Sequence, residues 1–176
     1  MSAVTNRLYE PCFAEARWYA AQTAPNHEKR VAEHLDAKMV QHFLPLYTAK
    51  HRRKDRNVTL HRPLFPGYIF VRISLQDRLE VLKVPSVTRF VGPSRPTPVP
   101  DKDIDGIRHA LATGLTAEPH AFLKVGRKVR IVSGPMRGME GILSRRKGAA
   151  RVVISLDVIM RSVVLELDIN DIVPVR

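Results

Sequence analysis

Apolar and polar positions change period several times along the chain, and each change marks an element. Residues 16–22, centred on Trp18 and Tyr19, read as a strand. Pro25 and Asn26 interrupt it, with Asn26 placed to cap a helix. Beyond them Val31, Leu35 and Met39 recur at four-residue spacing, which sets them on one side of a helix, while Arg30, His34, Lys38 and Gln41 fall on the other. The expected helix therefore turns a basic stripe outward. Residues 43–48 read as a second strand. Residues 50–62 hold six basic side chains and one acid, Asp55, with His51 and His61 among them. A stretch so charged does not pack inside, so it is expected as an exposed hairpin arm or loop. Residues 64–73 are the most apolar part of this half and place Phe65-Pro66-Gly67-Tyr68 ahead of a strand at 69–73. A helix over 76–83, a short strand over 88–91 and a helix opened by Asp101 after Pro100 follow, the last turning Ile104, Ile107 and Leu111 inward.

The pattern then shortens. Val129 and Ile131 alternate with Lys128 and Arg130, and Val163, Leu165 and Leu167 alternate again before Asp168. Gly134-Pro135, Gly138 and Gly148 mark tight turns between these runs. About fifty residues of this kind suffice for a small five-stranded barrel and not for a sizeable core, so a docking module is expected there. Aromatic residues divide the chain in the same place: all eleven lie before residue 125. Between the halves, residues 113–123 include Gly114 and Pro119 in a polar setting and read as a linker. The organisation expected is a flexible lead-in over 1–15, an α+β module of antiparallel sheet and helices over 16–112, the linker, and a barrel over 124–176.

Charge adds the partner class. The chain of 176 residues carries 29 Lys plus Arg against 17 Asp plus Glu, a formal charge of +12. Both halves share it, with 18 basic and 11 acidic residues up to 112, and 11 and 6 beyond. Such a surface attracts polyanions, nucleic acid first among them. A hydrophobic fraction of 44% allows a core. No apolar run approaches the roughly 18 residues of a membrane span, and the first thirty residues lack the apolar stretch of a secretory signal. A monomer in the cytoplasm is the expectation. One cysteine, Cys12, cannot form an internal disulfide and reads as incidental rather than as a catalytic thiol.

Two groups of residues carry a resemblance. The run 125–131, Val-Gly-Arg-Lys-Val-Arg-Ile, followed by Gly134-Pro135-Met136-Arg137-Gly138-Met139-Glu140-Gly141, is similar to the KOW motif of SH3-like barrels. Its glycines would supply positive φ or close backbone approach at the barrel rim. Upstream, Trp18-Tyr19, Leu44-Pro45, Leu64-Phe65-Pro66-Gly67-Tyr68-Ile69-Phe70-Val71 and Val87-Thr88-Arg89-Phe90-Val91-Gly92 follow the order and spacing of the NusG N-terminal domain. Together they resemble the NusG and RfaH family of transcription elongation factors over about residues 16 to 176.

That resemblance implies a mode of action by binding. In the family the first domain sits on the clamp helices of the RNA polymerase β′ subunit, bridges the DNA channel and suppresses pausing, and the KOW barrel recruits a second partner. By position, Phe65 and Tyr68 match aromatics of the apolar socket for the clamp helices and are read as interface in preference to core, with Phe90 a further candidate balanced between the two. Trp18 is assigned to the core. Arg30 and His34 lie where specialised members contact the exposed non-template DNA strand, against the alternative of a solvated helix face. Lys83-Val84-Pro85 before Ser86 departs from the RfaH pattern at other DNA-contacting positions. Lys50, Arg52, Arg53, Lys54 and Arg56 suit duplex DNA near the polymerase, or else merely solubilise the arm. In the barrel, Met136, Met139 and Ile159 align with the apolar surface offered to a small-subunit ribosomal protein or to Rho. Arg145, Arg146, Lys147 and Arg151 form a second basic cluster that reads as a solvated hairpin.

Chemistry of the bond-making kind is not written in the chain. There is no GxxxxGK[ST], HExxH or CxxC, and the seven histidines are scattered and end at His120. No enzyme activity, cofactor or metal is expected. The sequence thus supports a NusG-type factor, with a specialised antiterminator preferred to the housekeeping form because the barrel lacks aromatics and the arm is strongly basic. A ribosome-associated KOW protein binding rRNA is the alternative, and it leaves the whole first module unexplained. The β-branched runs 152–156 and 163–167 favour a permanent β-barrel over a refolding one.

Overall fold

The computed structural model describes residues 14–52, 57–120, 126–146 and 149–175. Cys12 and most of the lead-in fall outside them, as do Arg53, Lys54 and Arg56 of the basic arm and Lys147 of the second cluster. The chain opens with β1 (Arg17–Thr23), α1 (Glu28–Ala37), β2 (His42–Phe43), β3 (Leu46–Arg52), β4 (Asn57–Pro63) and β5 (Tyr68–Ile73). Then come α2 (Arg78–Leu82), β6 (Val87–Phe90), β7 (Pro98–Val99) and α3 (Asp101–Ala112). The second half is β8 (Ala117–His120), β9 (Arg127–Ile131), β10 (Glu140–Arg146), β11 (Ala149–Leu156), β12 (Arg161–Leu167) and β13 (Ile172–Pro174). The fold is the α+β arrangement expected, followed by a small β module.

The first sheet runs β2-β5-β1-β6, with β7 also on the β1 edge, and its central pair is antiparallel, Tyr19 facing Val71 and Ala21 facing Ile69. Strand alternation sorts its side chains onto two faces. Trp18, Ala20 and Phe70 join one core layer with Ile104, Ile107 and Ala110 of α3. Tyr19, Ala21, Ile69 and Val71 join the other with Val31 and Leu35 of α1 and Val81 of α2. The apolar spacing read in α1 holds for Val31 and Leu35, both fully buried, and fails at Met39. Met39 lies past the helix end at φ +55 and is 93% exposed, because the helix closes at Ala37 and the chain turns there into β2. Asn26 is likewise no cap: it takes φ +63 in the turn before His27, and the helix starts at Glu28. Leu44 and Pro45 split the expected second strand, since proline brings no N–H to a ladder. The arm is a two-stranded hairpin, β3 with β4, in register from Leu46–Pro63 to Arg52–Asn57.

The second sheet runs β13-β9-β10-β11-β12-β8. Five of these strands are those of the expected barrel, and the sixth, β8, arises within the stretch read as a linker. Pro119 occupies its centre opposite Val163, a position tolerated because β8 is an edge strand. The motif glycines act in different ways. Gly134 and Gly138 take φ +76 and +87, where a side chain is strained, whereas Gly141 lets the β11 backbone approach. A β-carbon there would lie 2.7 Å from the Val153 carbonyl oxygen.

Candidate nucleic-acid and polymerase interface

The Phe65–Tyr68 turn joins the hairpin arm to β5. Gly67 sits at φ +82, the Tyr68 N–H donates to the Phe65 carbonyl at 3.1 Å, and the Thr23 N–H donates to the Gly67 carbonyl at 2.9 Å. The Gly67 N–H in turn donates to Glu28 Oε1 at 2.7 Å. Held from β1 and α1 together, the turn directs Phe65 and Tyr68 to the α3 side of the sheet. Phe65 meets Phe70 edge-on with ring centroids 5.7 Å apart and is 1% exposed; Tyr68 is half-buried against the same layer. Phe90 does not join them. It packs edge-on against Tyr19 at 6.3 Å in the opposite layer, since its register partner is Ala21, so the strand period puts it behind the sheet.

The layer around Phe65 continues into the barrel: a single apolar cluster holds Phe65, Phe70, Ile104 and Ile107 together with Val129, Ile131, Met136, Met139 and Ile159. Met136, Met139 and Ile159, proposed from the sequence as the barrel's partner surface, are 1%, 8% and 4% exposed. The two methionines reach α3 at Gly106, where a β-carbon would lie 2.4 Å from Met139 Sδ and 3.4 Å from Met136 Sδ. Sequence reasoning missed this residue. A glycine in mid-helix costs about 1 kcal/mol relative to alanine, and that penalty was the available signal that something packs closely there. Beside it, burial raises the pKa of Asp103 above its ordinary value, opposed by Lys102 and reinforced by Asp157 of the barrel.

The candidate nucleic-acid residues lie elsewhere. On α1, Arg30 is exposed and His34 half-buried. His27 Nδ1 lies 2.7 Å from Ser86 Oγ, so α1 and the start of β6 are tied at this end. Lys50 and Arg52 fall on β3, at the far end of the hairpin from the sheet. Of the second basic cluster, Arg151 pairs with Glu166 across β11 and β12. On the opposite flank Arg108 of α3 stacks over the rings of Phe43 and Trp18, at 5.1 and 5.5 Å to their centroids, which confirms Trp18 as a packed residue at 2% exposure. Among the described residues there is no cluster of His, Cys, Asp and Glu able to hold a metal, and no helix long and apolar enough to cross a membrane.

An antiparallel α+β module followed by a small KOW-type barrel defines the class. Residues 16–108 match the family profile described as NusG, transcription termination factor, and the chain belongs to that family. Relatives include the transcription termination/antitermination proteins NusG of Yersinia pestis and Escherichia coli (strain K12), each 28% identical over 171 residues, 89% of this chain and 94% of theirs. The Lactococcus lactis NusG is 28% identical over 170 residues, 88% of this chain and 91% of its own. A solved NusG chain of Thermotoga maritima shares the fold, with a TM-score of 0.60 at 22% identity, over 92% of this chain and 98% of that one. The protein is a transcription termination/antitermination factor of the NusG type, and it is not an enzyme.

Proposed function

We propose that this factor binds RNA polymerase at the β′ clamp helices through the turn carrying Phe65 and Tyr68, and suppresses pausing or termination as a specialised paralogue. The observation that carries this reading is the apolar cluster of Phe65, Phe70, Ile104 and Ile107 with Tyr68 at its margin, which the barrel's methionines join where they reach α3 at Gly106. With the barrel withdrawn, this face would become an exposed apolar patch of the kind that takes a partner. Here two candidate docking surfaces cover one another, so the closed form is the resting state and the barrel leaves α3 when polymerase takes its place. Release also uncovers Met136, Met139 and Ile159 for a ribosomal protein or Rho. Arg30 and His34 face non-template DNA, the basic arm meets upstream duplex, and the protein works as a cytoplasmic monomer.

The test is capture of core RNA polymerase by the full chain, with a clamp-helix fragment as competitor. The fragment is expected to displace the protein, and Tyr68→Ala is expected to weaken capture with its melting curve unchanged. Polymerase capture that the fragment cannot compete would remove the clamp-helix assignment.

A further inference from the structure

We propose that Glu28 is the positioning residue of the polymerase contact: its buried carboxylate fixes the Pro66–Gly67 turn and thereby the placement of Phe65 and Tyr68. The inference rests on the reading above that this turn meets polymerase. Glu28 is 3% exposed, and among the described residues it is the one charged side chain that is buried. Its Oε1 accepts the Gly67 N–H at 2.7 Å, which makes a charge-assisted bond between the first turn of α1 and a turn 39 residues away. Thr23 closes the other side of Gly67 through its backbone N–H. The turn therefore hangs on two elements, α1 packed behind the sheet and the end of β1 within it, while Phe65 and Tyr68 pack on the front face.

Burying a charge is costly, and an apolar side chain here would escape that cost only by leaving the Gly67 N–H without its acceptor. The positive end of α1 relieves part of the penalty, since Glu28 stands in its first turn. What an apolar residue would not provide is an acceptor at a fixed distance. With the Gly67 N–H held, the left-handed φ of +82 is fixed, and with it the side of the sheet on which Phe65 and Tyr68 pack. Because Glu28 sits on the helix that also carries Arg30 and His34, it links the DNA-facing helix and the polymerase-facing turn as one unit.

Four full-length variants test this: Glu28→Ala, Glu28→Asp, Glu28→Gln, and Val31→Ala as a core cut on the same helix. Affinity for core polymerase, melting temperature and hydrogen exchange at the Gly67 amide are measured for each. Alanine, which lacks the acceptor, and aspartate, one methylene too short, are expected to lower polymerase affinity tenfold or more and to speed Gly67 exchange at least tenfold. Glutamine keeps a carbonyl acceptor at the same reach and is expected to stay within threefold of wild type in both. Val31→Ala is expected to lower the melting temperature while its affinity stays within threefold. Should alanine fail to fold, the aspartate and glutamine pair carries the comparison. Affinity unchanged by aspartate, lost equally with glutamine, or lost in step with melting temperature in Val31→Ala would overturn the proposal. If those results coincide with an impaired Tyr68→Ala, Glu28 alone is refuted; if Tyr68→Ala also binds normally, the polymerase reading falls with it.

Discussion

Gly106 and Met139 are matched across the boundary between the two modules: the first leaves a gap in α3 that the thioether of the second fills, 2.4 Å from where a β-carbon would stand. The match gives a helix-weakening residue a packing reason. It also makes the closed arrangement sensitive to a single methyl group.

Gly106→Ala is expected to loosen that arrangement. Alanine favours the helix by about 1 kcal/mol, yet Met139 must leave the notch, and its flexible side chain limits the damage. Gly106→Leu fills the notch outright. The expected outcome is a small rise in radius of gyration by small-angle scattering for alanine, a larger one for leucine, and polymerase affinity rising in the same order. Equal scattering for all three chains would show that the notch does not control docking.

Met139→Ala tests the same contact from the other side. Truncating a buried methionine costs about 2 to 5 kcal/mol, here shared between the barrel core and the docked face. In a double-mutant cycle with Gly106→Ala, a coupling of about 0.5 to 3 kcal/mol is expected, because each change removes the same contact. Additive melting shifts would mean that the two residues act separately.

The pairing was half legible in the sequence. Met136 and Met139 stand out in a motif whose other signals are glycines, and Phe65 and Tyr68 stand out on a proline-glycine turn, so these residues could be singled out. That they share one apolar cluster was not legible, because packing between residues about seventy positions apart leaves no periodic trace. The strand period was not used to sort faces: it would have set Trp18 and Tyr19 on opposite sides of β1, and Phe90, paired with Ala21, lies behind the sheet. Met39 kept the helical spacing and lies outside the helix, since spacing does not reveal where a helix stops. Glu28 escaped notice altogether: a glutamate at a helix start is ordinary, and only the packing makes it buried.

Asp103 gives the closed form a pH dependence with a definite sign. Burial raises its pKa above the ordinary 3.8, Asp157 adds to the rise and Lys102 opposes it. The docked molecule therefore holds its proton more tightly than a molecule in which Asp103 is solvated. The contribution of Asp103 to docking is therefore expected to be greatest below 3.8 and to be lost as pH rises through the raised value. Asp103→Asn is expected to flatten this dependence and to favour docking at neutral pH, read by scattering across a pH series. A variant with the same pH profile as wild type would exclude Asp103 as the source.

The basic arm predicts a salt effect. If Lys50, Arg52, Arg53, Lys54 and Arg56 neutralise about four phosphates, log affinity for duplex DNA falls against log salt with a slope of about −0.9 for each contact. Replacing all five with glutamine is expected to flatten the slope by about three to four units. An unchanged slope would assign the arm to solubility alone.

Binding of the full chain to core RNA polymerase, titrated against a clamp-helix fragment, tests the central claim most directly. Tyr68→Ala, read beside a melting curve, is expected to weaken binding by about 1 to 3 kcal/mol with stability retained, and the fragment is expected to compete with wild type. Wild-type affinity in a stably folded Tyr68→Ala chain, with no competition by the fragment, would contradict it.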